Sequence, residues 1–200
     1  MLPLGCVATV SRRGDSEVFV RARLQPCRKR MWRSAALAAE GMAVPKRHCS
    51  PPGTYFVTSK TWEGHSIFQR SETCKIYVDA LLHYRDEGKY LLHGFVLMPD
   101  HFHLLLTPSG DVTLERVVQF IKGGSARRMG EVRKRKFPVW QRGFSDHRIR
   151  DAADFALHMA YIEQNPVKKG LAATAREYAW SSASGVYRMD EAPQGLKPLN

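Results

Sequence analysis

The sequence is poor in cysteine, and its four cysteines do not fall into pairs. Cys6, Cys27, Cys49 and Cys74 are scattered over 200 residues without a Cys-x-x-Cys spacing. The pattern therefore indicates neither a disulfide framework nor a cysteine zinc knuckle, and it suits a reducing compartment.

Long apolar runs are also missing. The sequence has no stretch of about twenty apolar residues, the length that a membrane-spanning helix needs. Arg12, Arg13 and Asp15 interrupt the start of the chain, where a secretory signal would require an uninterrupted apolar core. We therefore expect a cytoplasmic protein with no membrane partner.

Acidic residues are scarce relative to basic ones. Asp and Glu number 19 against 31 Lys and Arg, which gives a net charge of +12 and a pI near 9.8. Such an excess concentrates polyanions around a protein, so nucleic acid is the first partner to expect, with a nucleoid-associated location. The alternative is a basic protein whose charge only keeps it soluble.

The length and the composition of the chain predict one domain with an additional segment at each end. Residues 1–48 are basic and broken by prolines, and we expect a poorly ordered leader there. Met42 is a plausible alternative start, in which case residues 1–41 are a mis-assigned extension. Residues 49–187 form the predicted domain, and residues 188–200 form a predicted flexible tail.

The order of apolar patterns in the predicted domain indicates an α+β fold. Strands and helices alternate as in a ferredoxin-like or RRM-like βαββαβ antiparallel sheet, followed by an added C-terminal helix. Pro99 and Asp100 separate the second and third strands and predict a short hairpin loop. Pro166 is expected to stop the last helix. The predicted elements are strands at 54–59, 90–98, 101–107 and 139–149 and helices at 71–86, 113–129 and 151–165.

Two histidines one residue apart begin the third predicted strand. Side chains alternate faces along a strand, so His101 and His103 point the same way while Phe102 and Leu104 point into a core. Two imidazoles side by side can bind one metal ion. The alternative is that they are polar residues at the end of a half-buried strand.

A tyrosine on the last predicted helix lies beside its apolar stripe. Phe155, Met159 and Ile162 form the expected buried face, and Tyr161 lies off it. Asn165 follows Tyr161 by four residues, so the phenol and the amide project on one side of the helix. Taken alone, a tyrosine in this position is most often a packing residue.

Four blocks of sequence resemble the HUH single-tyrosine transposases, and among these the REP-associated tyrosine transposases. The blocks are residues 53–58 (GTYFVT), 96–105 (VLMPDHFHLL), 139–147 (VWQRGFSDH) and 161–171 (YIEQNPVKKGL). Their order and spacing extend the resemblance over about residues 46–187. Four co-linear blocks are a specific signal, whereas the His-Phe-His motif alone is a weak one.

The resemblance implies a metal-dependent enzyme that transfers single-stranded DNA. In it, His101 and His103 hold Mg²⁺ or Mn²⁺, and Tyr161 attacks a phosphodiester to form a 5′-phosphotyrosine link. Asn165 matches the position of a third metal ligand. Some relatives have a glutamine there, and Gln164 is the neighbouring alternative.

The resemblance also implies hairpin-forming single-stranded DNA as the substrate, and it favours a monomer over a homodimer. Basic residues crowd the stretch from Lys122 to Arg150, where Phe137 and Trp140 could either stack on bases or be buried. The position of Lys46 and Arg47 in the family pattern suggests a DNA contact. The predicted DNA-binding residues are Lys46, Arg47, Lys122, Arg127, Arg128, Arg133, Lys134, Arg135, Lys136, Arg142, Lys168 and Lys169.

Two other functions fit parts of the pattern. A ferredoxin-like sheet could bind single-stranded nucleic acid without cutting it, and it would then need neither a metal nor Tyr161. A metal-dependent hydrolase that uses water is the third class, although the chain gathers few ligands in any one block. His147 could face the paired histidines or form an ordinary strand hydrogen bond, and His93 and His158 are expected to be packing or surface residues.

Overall fold

A computed structural model describes residues 50–134 and 137–196, and a single four-stranded antiparallel sheet lies at its centre. Strands β1 and β3 occupy the middle of the sheet, and the spatial order is β2-β3-β1-β4. The strands are β1 (Tyr55–Lys60), β2 (Tyr90–Leu97), β3 (His101–Pro108) and β4 (Ser145–Arg148).

Three α-helices cover the two faces of this sheet. Helices α1 (Ser71–Asp86) and α2 (Leu114–Val132) share one apolar core with the sheet, and α3 (Ala152–Lys168) packs on the opposite face. The chain order βαββαβ followed by α3 is the predicted ferredoxin-like α+β arrangement, so the predicted fold class is confirmed. Tyr161 lies on α3, the added helix.

The alternation along β3 assigns its residues to the two faces. Phe102, Leu104 and Leu106 are fully buried in the core beneath α1 and α2. Leu105 belongs to the second, smaller core, where α3 contributes Ile162. Each fully buried apolar side chain of this size contributes roughly 1.5–3 kcal/mol. The alternating apolar residues of β3 therefore occupy the face under α1 and α2, and His101 and His103 lie on the opposite face.

A two-residue hairpin loop sets the start of β3, as predicted. The Met98 N–H donates to the carbonyl of His101 at 2.8 Å, which closes the loop around Pro99 and Asp100. The loop makes His101 the first residue of β3. The first imidazole therefore lies at the rim of the sheet and the second lies one step further in.

The predicted strand over residues 139–149 is too long. The structure restricts β4 to Ser145–Arg148, and Trp140 makes only an isolated bridge to Thr61. Gly143 adopts a left-handed φ of 73°, which breaks the extended path before β4 begins. Residues 139–144 therefore form a loop that precedes β4. Apolar residues of this loop such as Val139 are buried, although they are not hydrogen-bonded as part of β4.

The prediction that Pro166 stops α3 is also wrong. The helix continues to Lys168, and Gly170 follows its C-cap residue Lys169 with a left-handed φ of 68°. The N–H of Gly170 donates to Val167, and the N–H of Leu171 donates to Pro166, the two bonds of a Schellman motif. Pro166 has no N–H to donate to Ile162, so α3 loses one hydrogen bond there, and the two bonds of the Schellman motif close the last turn beyond it.

The residues after α3 run along the outer edge of β2, the side on which β2 has no neighbouring strand. Asp190 receives two hydrogen bonds of 2.7 Å from the Arg85 guanidinium and one of 2.7 Å from the Leu92 N–H. Asp190 lies in the segment expected to be a tail, and the division of the chain into leader, domain and tail stays a prediction. Within residues 50–134 and 137–196, no helix is long and apolar enough to cross a membrane.

Candidate active site

The two imidazoles of β3 lie side by side on the face that α3 covers. The ring centroids of His101 and His103 are 4.8 Å apart. The Nδ1 atom of His101 lies 2.6 Å from the Asp100 carboxylate, and the Nδ1 atom of His103 lies 2.7 Å from the Thr58 hydroxyl. An ionised Asp100 carboxylate only accepts, which favours a proton on Nδ1 of His101 and a lone pair on its Nε2, whereas the Thr58 hydroxyl can donate to Nδ1 of His103 or accept from it. Such an arrangement suits two metal ligands.

His103 is a buried histidine with one orphaned nitrogen. Its side chain is 5% exposed, and its Nε2 has no hydrogen-bond partner in the part of the chain that the structure describes. Burial, with a smaller contribution from the neighbouring His101, lowers the pKa of His103 to about 3, so the imidazole is neutral near pH 7. A buried polar atom without a partner costs roughly 1–3 kcal/mol. A bound cation at Nε2 would offset that cost.

Tyr161 reaches this pair from α3. Its ring lies edge-on to His103 with centroids 5.1 Å apart, and edge-on to Phe56 at 5.7 Å. Its side chain is half-buried against the second core rather than enclosed by it. The structure therefore brings the predicted tyrosine and the predicted histidines together.

The next turn of α3 separates the two candidates for a third ligand. Asn165 is buried, with 4% exposure, on the side of α3 that includes Ile162 and Pro166. Gln164 is exposed. Burial on the helix side that includes Ile162 favours Asn165 over Gln164 as the candidate ligand.

Basic side chains at the end of α3 lie close to the tyrosine. The Lys168 ammonium is 6.0 Å from the centre of the Tyr161 ring. Lys169 follows as an exposed C-terminal residue of the helix. A positive charge beside the phenol favours an anionic ligand there.

Four of the predicted basic residues lie on or just after α2, on the face of the sheet opposite Tyr161. Helix α2 packs on the face opposite α3, so its basic residues lie across the sheet from Tyr161. Arg127 is exposed there and bonds to Glu131 at 2.9 Å. The residues on that side are Arg127, Arg128, Arg133 and Lys134, while Lys46, Arg47, Arg135 and Lys136 lie outside the described residues.

Lys122 has a structural role that the sequence does not reveal. Its ammonium donates hydrogen bonds of 2.7 Å to the carbonyls of Gln141 and Gly143 in the loop before β4. Burial lowers the pKa of Lys122 to about 8. Its charge is used to hold this loop, which limits its availability to DNA.

A cleft next to the imidazoles was not found by sequence reasoning. It has a volume of about 370 Å³ and is lined by Thr58 and Lys60 of β1 together with Arg142 and Gly143 of the loop. Thr58 also bonds to His103, so the cleft adjoins the histidine pair. No motif marked Lys60, because its proximity to Arg142 depends on tertiary structure alone.

The aromatic residues of the basic stretch are packing residues in this structure. Trp140 contacts the rings of Phe68, Tyr77 and Phe102, and its indole N–H donates to Ser125 at 3.1 Å. Phe137 packs against the same core. Both rings are partly buried in this packing, and base stacking stays a prediction.

His147 does not face the histidine pair. It pairs with Phe56 across β1 and β4, which places it one strand further from β3, and its Nε2 bonds to Asp154 at 2.8 Å. The hydrogen-bonded alternative is therefore the one observed. His93 is buried and bonds to Thr107 at 2.8 Å, as a packing residue does.

A second group of polar side chains lies on the same face as the histidine pair, near the start of α3. Ligand atoms of His147, Asp154 and His158 lie within 4.8 Å of one another, a group that can hold a metal ion. The Nδ1 atom of His158 lies 2.8 Å from the backbone carbonyl of Asp154 and 3.2 Å from its carboxylate. Sequence reasoning missed this group because His147 lies on a strand and the other two lie on a helix.

Comparison with known proteins gives consistent results. The family described as "Transposase IS200 like" matches residues 61–165. A REP-associated tyrosine transposase of Haemophilus influenzae is 32% identical over 158 residues, which cover 70% of this chain and 85% of that protein. A REP-associated tyrosine transposase of Escherichia coli K12 is 26% identical over 155 residues, which cover 74% of this chain and 90% of that protein.

A solved structure gives the same result for the fold. The structure of a REP-associated tyrosine transposase bound to a REP hairpin matches with a TM-score of 0.60 and 25% identity, over 76% of this chain and 93% of that chain. The ferredoxin-like sheet and its facing helix, read with these matches, define a protein of the DNA-processing HUH class. The chain belongs to the IS200-like family of single-tyrosine transposases and is similar to its REP-associated members.

Proposed function

We propose that this transposase cleaves and rejoins hairpin-forming single-stranded DNA through attack of Tyr161 on a phosphodiester. The observation that carries the proposal is the 5.1 Å separation between the Tyr161 ring and the His103 imidazole. A hairpin substrate is supported by the related transposase whose structure holds a REP hairpin.

The histidine pair fits a divalent cation. His101 and His103 would hold it through Nε2, because each Nδ1 is already engaged by Asp100 or Thr58. Asn165 is the third ligand that we propose, on the buried side of α3. Mixed imidazole and oxygen ligands suit Mn²⁺ as well as Mg²⁺. When bound, the ion supplies neutralisation of a non-bridging phosphate oxygen and polarisation of phosphorus.

Tyr161 supplies the nucleophile. Its phenol oxygen forms a bond to phosphorus while the bond from phosphorus to the 3′ oxygen breaks, which leaves a 5′-phosphotyrosine link. The phenol loses its proton, and the departing 3′ oxygen takes up a proton to become a free hydroxyl. Phenoxide is also a tolerable leaving group, so attack by a DNA hydroxyl on the same phosphorus reverses the step and rejoins strands.

Several basic side chains near the site are proposed to hold the DNA backbone. Lys168 and Lys169 adjoin the tyrosine, and Arg142 lines the cleft beside Thr58. Residues on α2 lie too far around the sheet to touch the scissile phosphate, and we assign them to more distant parts of the hairpin. Those residues are Arg127, Arg128, Arg133 and Lys134, and the predicted contacts of Lys46, Arg47, Arg135 and Lys136 are retained.

A monomer is the proposed active form. The nucleophile on α3 and the imidazoles on β3 meet within one chain, so a complete site needs no second copy. This arrangement favours cleavage in cis.

One trapping experiment tests the proposal. Purified protein is mixed with labelled hairpin single-stranded DNA and Mn²⁺, denatured and separated on a gel. We expect a covalent adduct that is absent for Tyr161→Phe and present for Tyr84→Phe, a matched change on α1 across the sheet. Binding without an adduct would support the non-catalytic module instead, and cleavage that survives Tyr161→Phe would support a hydrolase.

A further inference from the structure

The start of α3 is tied to β4 by a compact group of polar side chains that the proposed cleavage chemistry does not use. Asp154 lies in the first turn of α3 and is 6% exposed. Its carboxylate lies between two imidazoles, with His147 Nε2 at 2.8 Å from Oδ2 and His158 Nδ1 at 3.2 Å from Oδ1. The two imidazoles stack with centroids 4.7 Å apart.

We propose that His147, Asp154 and His158 form a second metal site, specific for a transition metal of the Zn²⁺ class and separate from the histidine pair of β3. Two imidazole nitrogens and one carboxylate oxygen make up a three-ligand zinc set that leaves one position for water. Asp154 and His158 are spaced i and i+4 on one helix face, and His147 completes the set from the neighbouring strand.

To accept the ion, the ligand atoms must come closer together and the two stacked imidazole rings must turn so that one nitrogen of each points at the ion. The ligand atoms lie within 4.8 Å of one another. In a tetrahedral zinc site with bonds of about 2.0–2.1 Å, neighbouring ligand atoms lie about 3.3 Å apart.

The imidazole protons must move before the ion can bind. Nδ1 of His158 lies 2.8 Å from the backbone carbonyl of Asp154, which only accepts, so that nitrogen carries the proton in the apo state. Moving each proton to the other ring nitrogen would free a lone pair for the ion. The Arg150 side chain bonds to Asp154 Oδ2 at 3.2 Å and, being 74% exposed, can turn into solvent, whereas the Arg150 backbone N–H keeps its own 3.2 Å bond to that oxygen and leaves Oδ1 for the ion. His147 is 41% exposed, so the ion and its water have a path from outside.

The second site is separated from the first by one aromatic ring. Phe56 contacts His158 with centroids 4.6 Å apart and His103 at 5.3 Å. His158 also precedes Tyr161 by three residues on α3. A metal bound at the second site would therefore immobilise the N-terminal part of α3, the helix that carries Tyr161.

Zinc binding can be measured without DNA and without the histidine pair. The experiment uses the full chain carrying His101→Ala and His103→Ala, stripped with a chelator and titrated with Zn²⁺ against a chromophoric competitor. We expect one bound Zn²⁺ and a higher thermal midpoint with Zn²⁺ than without it. Adding His147→Ala should weaken binding by at least about 100-fold, since even outer partners of ligands are worth about 10- to 100-fold.

A matched control and a spectroscopic readout make the test decisive. His83→Ala removes another exposed histidine, one that lies 3.2 Å from the Glu87 carboxylate, and it should leave zinc binding unchanged. Co²⁺ in place of Zn²⁺ should give the visible bands of a tetrahedral site, and these should vanish with His147→Ala. Circular dichroism checks the fold, and His147→Gln replaces the alanine variant if that variant unfolds.

Two outcomes would overturn this site without touching the proposed cleavage chemistry. The first is that the chain without the histidine pair binds no Zn²⁺. The second is that it binds Zn²⁺ with an affinity that His147→Ala does not change, which would locate the ion elsewhere. In either case the three residues are a hydrogen-bonded ion network only.

Discussion

The hydroxyl of Thr58 lies 2.7 Å from Nδ1 of His103, and among the described residues this leaves Nε2 as the nitrogen of that imidazole without a hydrogen-bond partner. The two residues are direct partners in the register between β1 and β3. Thr58, which takes no part in the proposed cleavage, thereby helps to orient His103, a proposed metal ligand.

Replacing Thr58 by valine should weaken metal binding at the histidine pair. Valine keeps the shape and removes the hydroxyl, so Nδ1 loses the partner that orients the ring. We expect Mn²⁺ affinity to fall by about 10- to 100-fold, as for other outer partners of metal ligands. Free Mn²⁺ measured by electron paramagnetic resonance checks this, on a background with His147→Ala. Thr58→Ser should bind like the parent, and equal affinity of the valine variant would contradict the assignment.

Asn165 and Gln164 should respond differently to truncation. Asn165→Ala removes the buried amide on the sheet side of α3, and we expect weaker Mn²⁺ binding and less covalent adduct with hairpin DNA. Gln164→Ala removes an exposed amide and should change neither quantity by more than about twofold, within the small effects usual for surface positions. The reverse ranking would transfer the third-ligand role to Gln164.

Lys168 and Arg127 provide a matched pair for the path of DNA. Lys168→Gln removes a positive charge 6.0 Å from the Tyr161 ring, and it should lower the salt slope of hairpin binding by about 1. Arg127→Gln lies across the sheet and already bonds to Glu131, so a smaller change is expected. Fluorescence anisotropy over a range of salt concentrations measures both slopes. Equal slopes for Lys168→Gln and the parent would exclude a phosphate contact.

Two adjacent glycines of α2 should give opposite effects on stability. A Cβ at Gly123 meets no atom within 4 Å, so Gly123→Ala should stabilise the protein by about 0.5–1 kcal/mol through helix propensity. A Cβ at Gly124 would lie 2.6 Å from Cε2 of Tyr84, whose ring stacks on Phe120. Overpacking should therefore make Gly124→Ala destabilising by about 1–3 kcal/mol. Urea unfolding of both variants measures the difference, and equal stabilisation would show that the Tyr84 ring moves freely.

The bond between Arg85 and Asp190 should make part of the stability depend on pH. The Arg85 guanidinium holds the pKa of Asp190 below its usual value of 3.8. A carboxyl whose folded pKa is depressed contributes stability above its unfolded pKa and loses it as pH falls through the folded pKa. Asp190→Asn should therefore cost about 1–3 kcal/mol near pH 7 and progressively less below pH 3.8. Asp79→Asn, at an exposed pair with Lys75, should cost less than about 0.5 kcal/mol.

Local patterns in the sequence predicted the element order, and the resemblance to the single-tyrosine transposases predicted the convergence of Tyr161 with the histidines. Alternation in β3 and the spacing on α3 are short-range features, so they can be read from the chain directly. The sequence predicted a strand where the loop before β4 lies. The apolar residues of this loop are buried by tertiary contacts, and Lys122 of α2 holds the loop by a hydrogen bond, neither of which a local pattern reveals. The end of α3 was misread because a Schellman motif at Gly170 outweighs one missing hydrogen bond at Pro166.

The zinc-type group of His147, Asp154 and His158 could not be read from sequence for a geometric reason. The three residues become neighbours only once β4 pairs with β1 in the observed register. A shift of one residue would turn His147 to the other face of the sheet.

The ring of Phe56 touches His103, His158 and Tyr161 at once. Its apolar ring lies between the two sets of nitrogen donors and offers a proton to neither. Two metal ions on its opposite sides would act on each other by charge alone, and an apolar medium screens that repulsion less than water does.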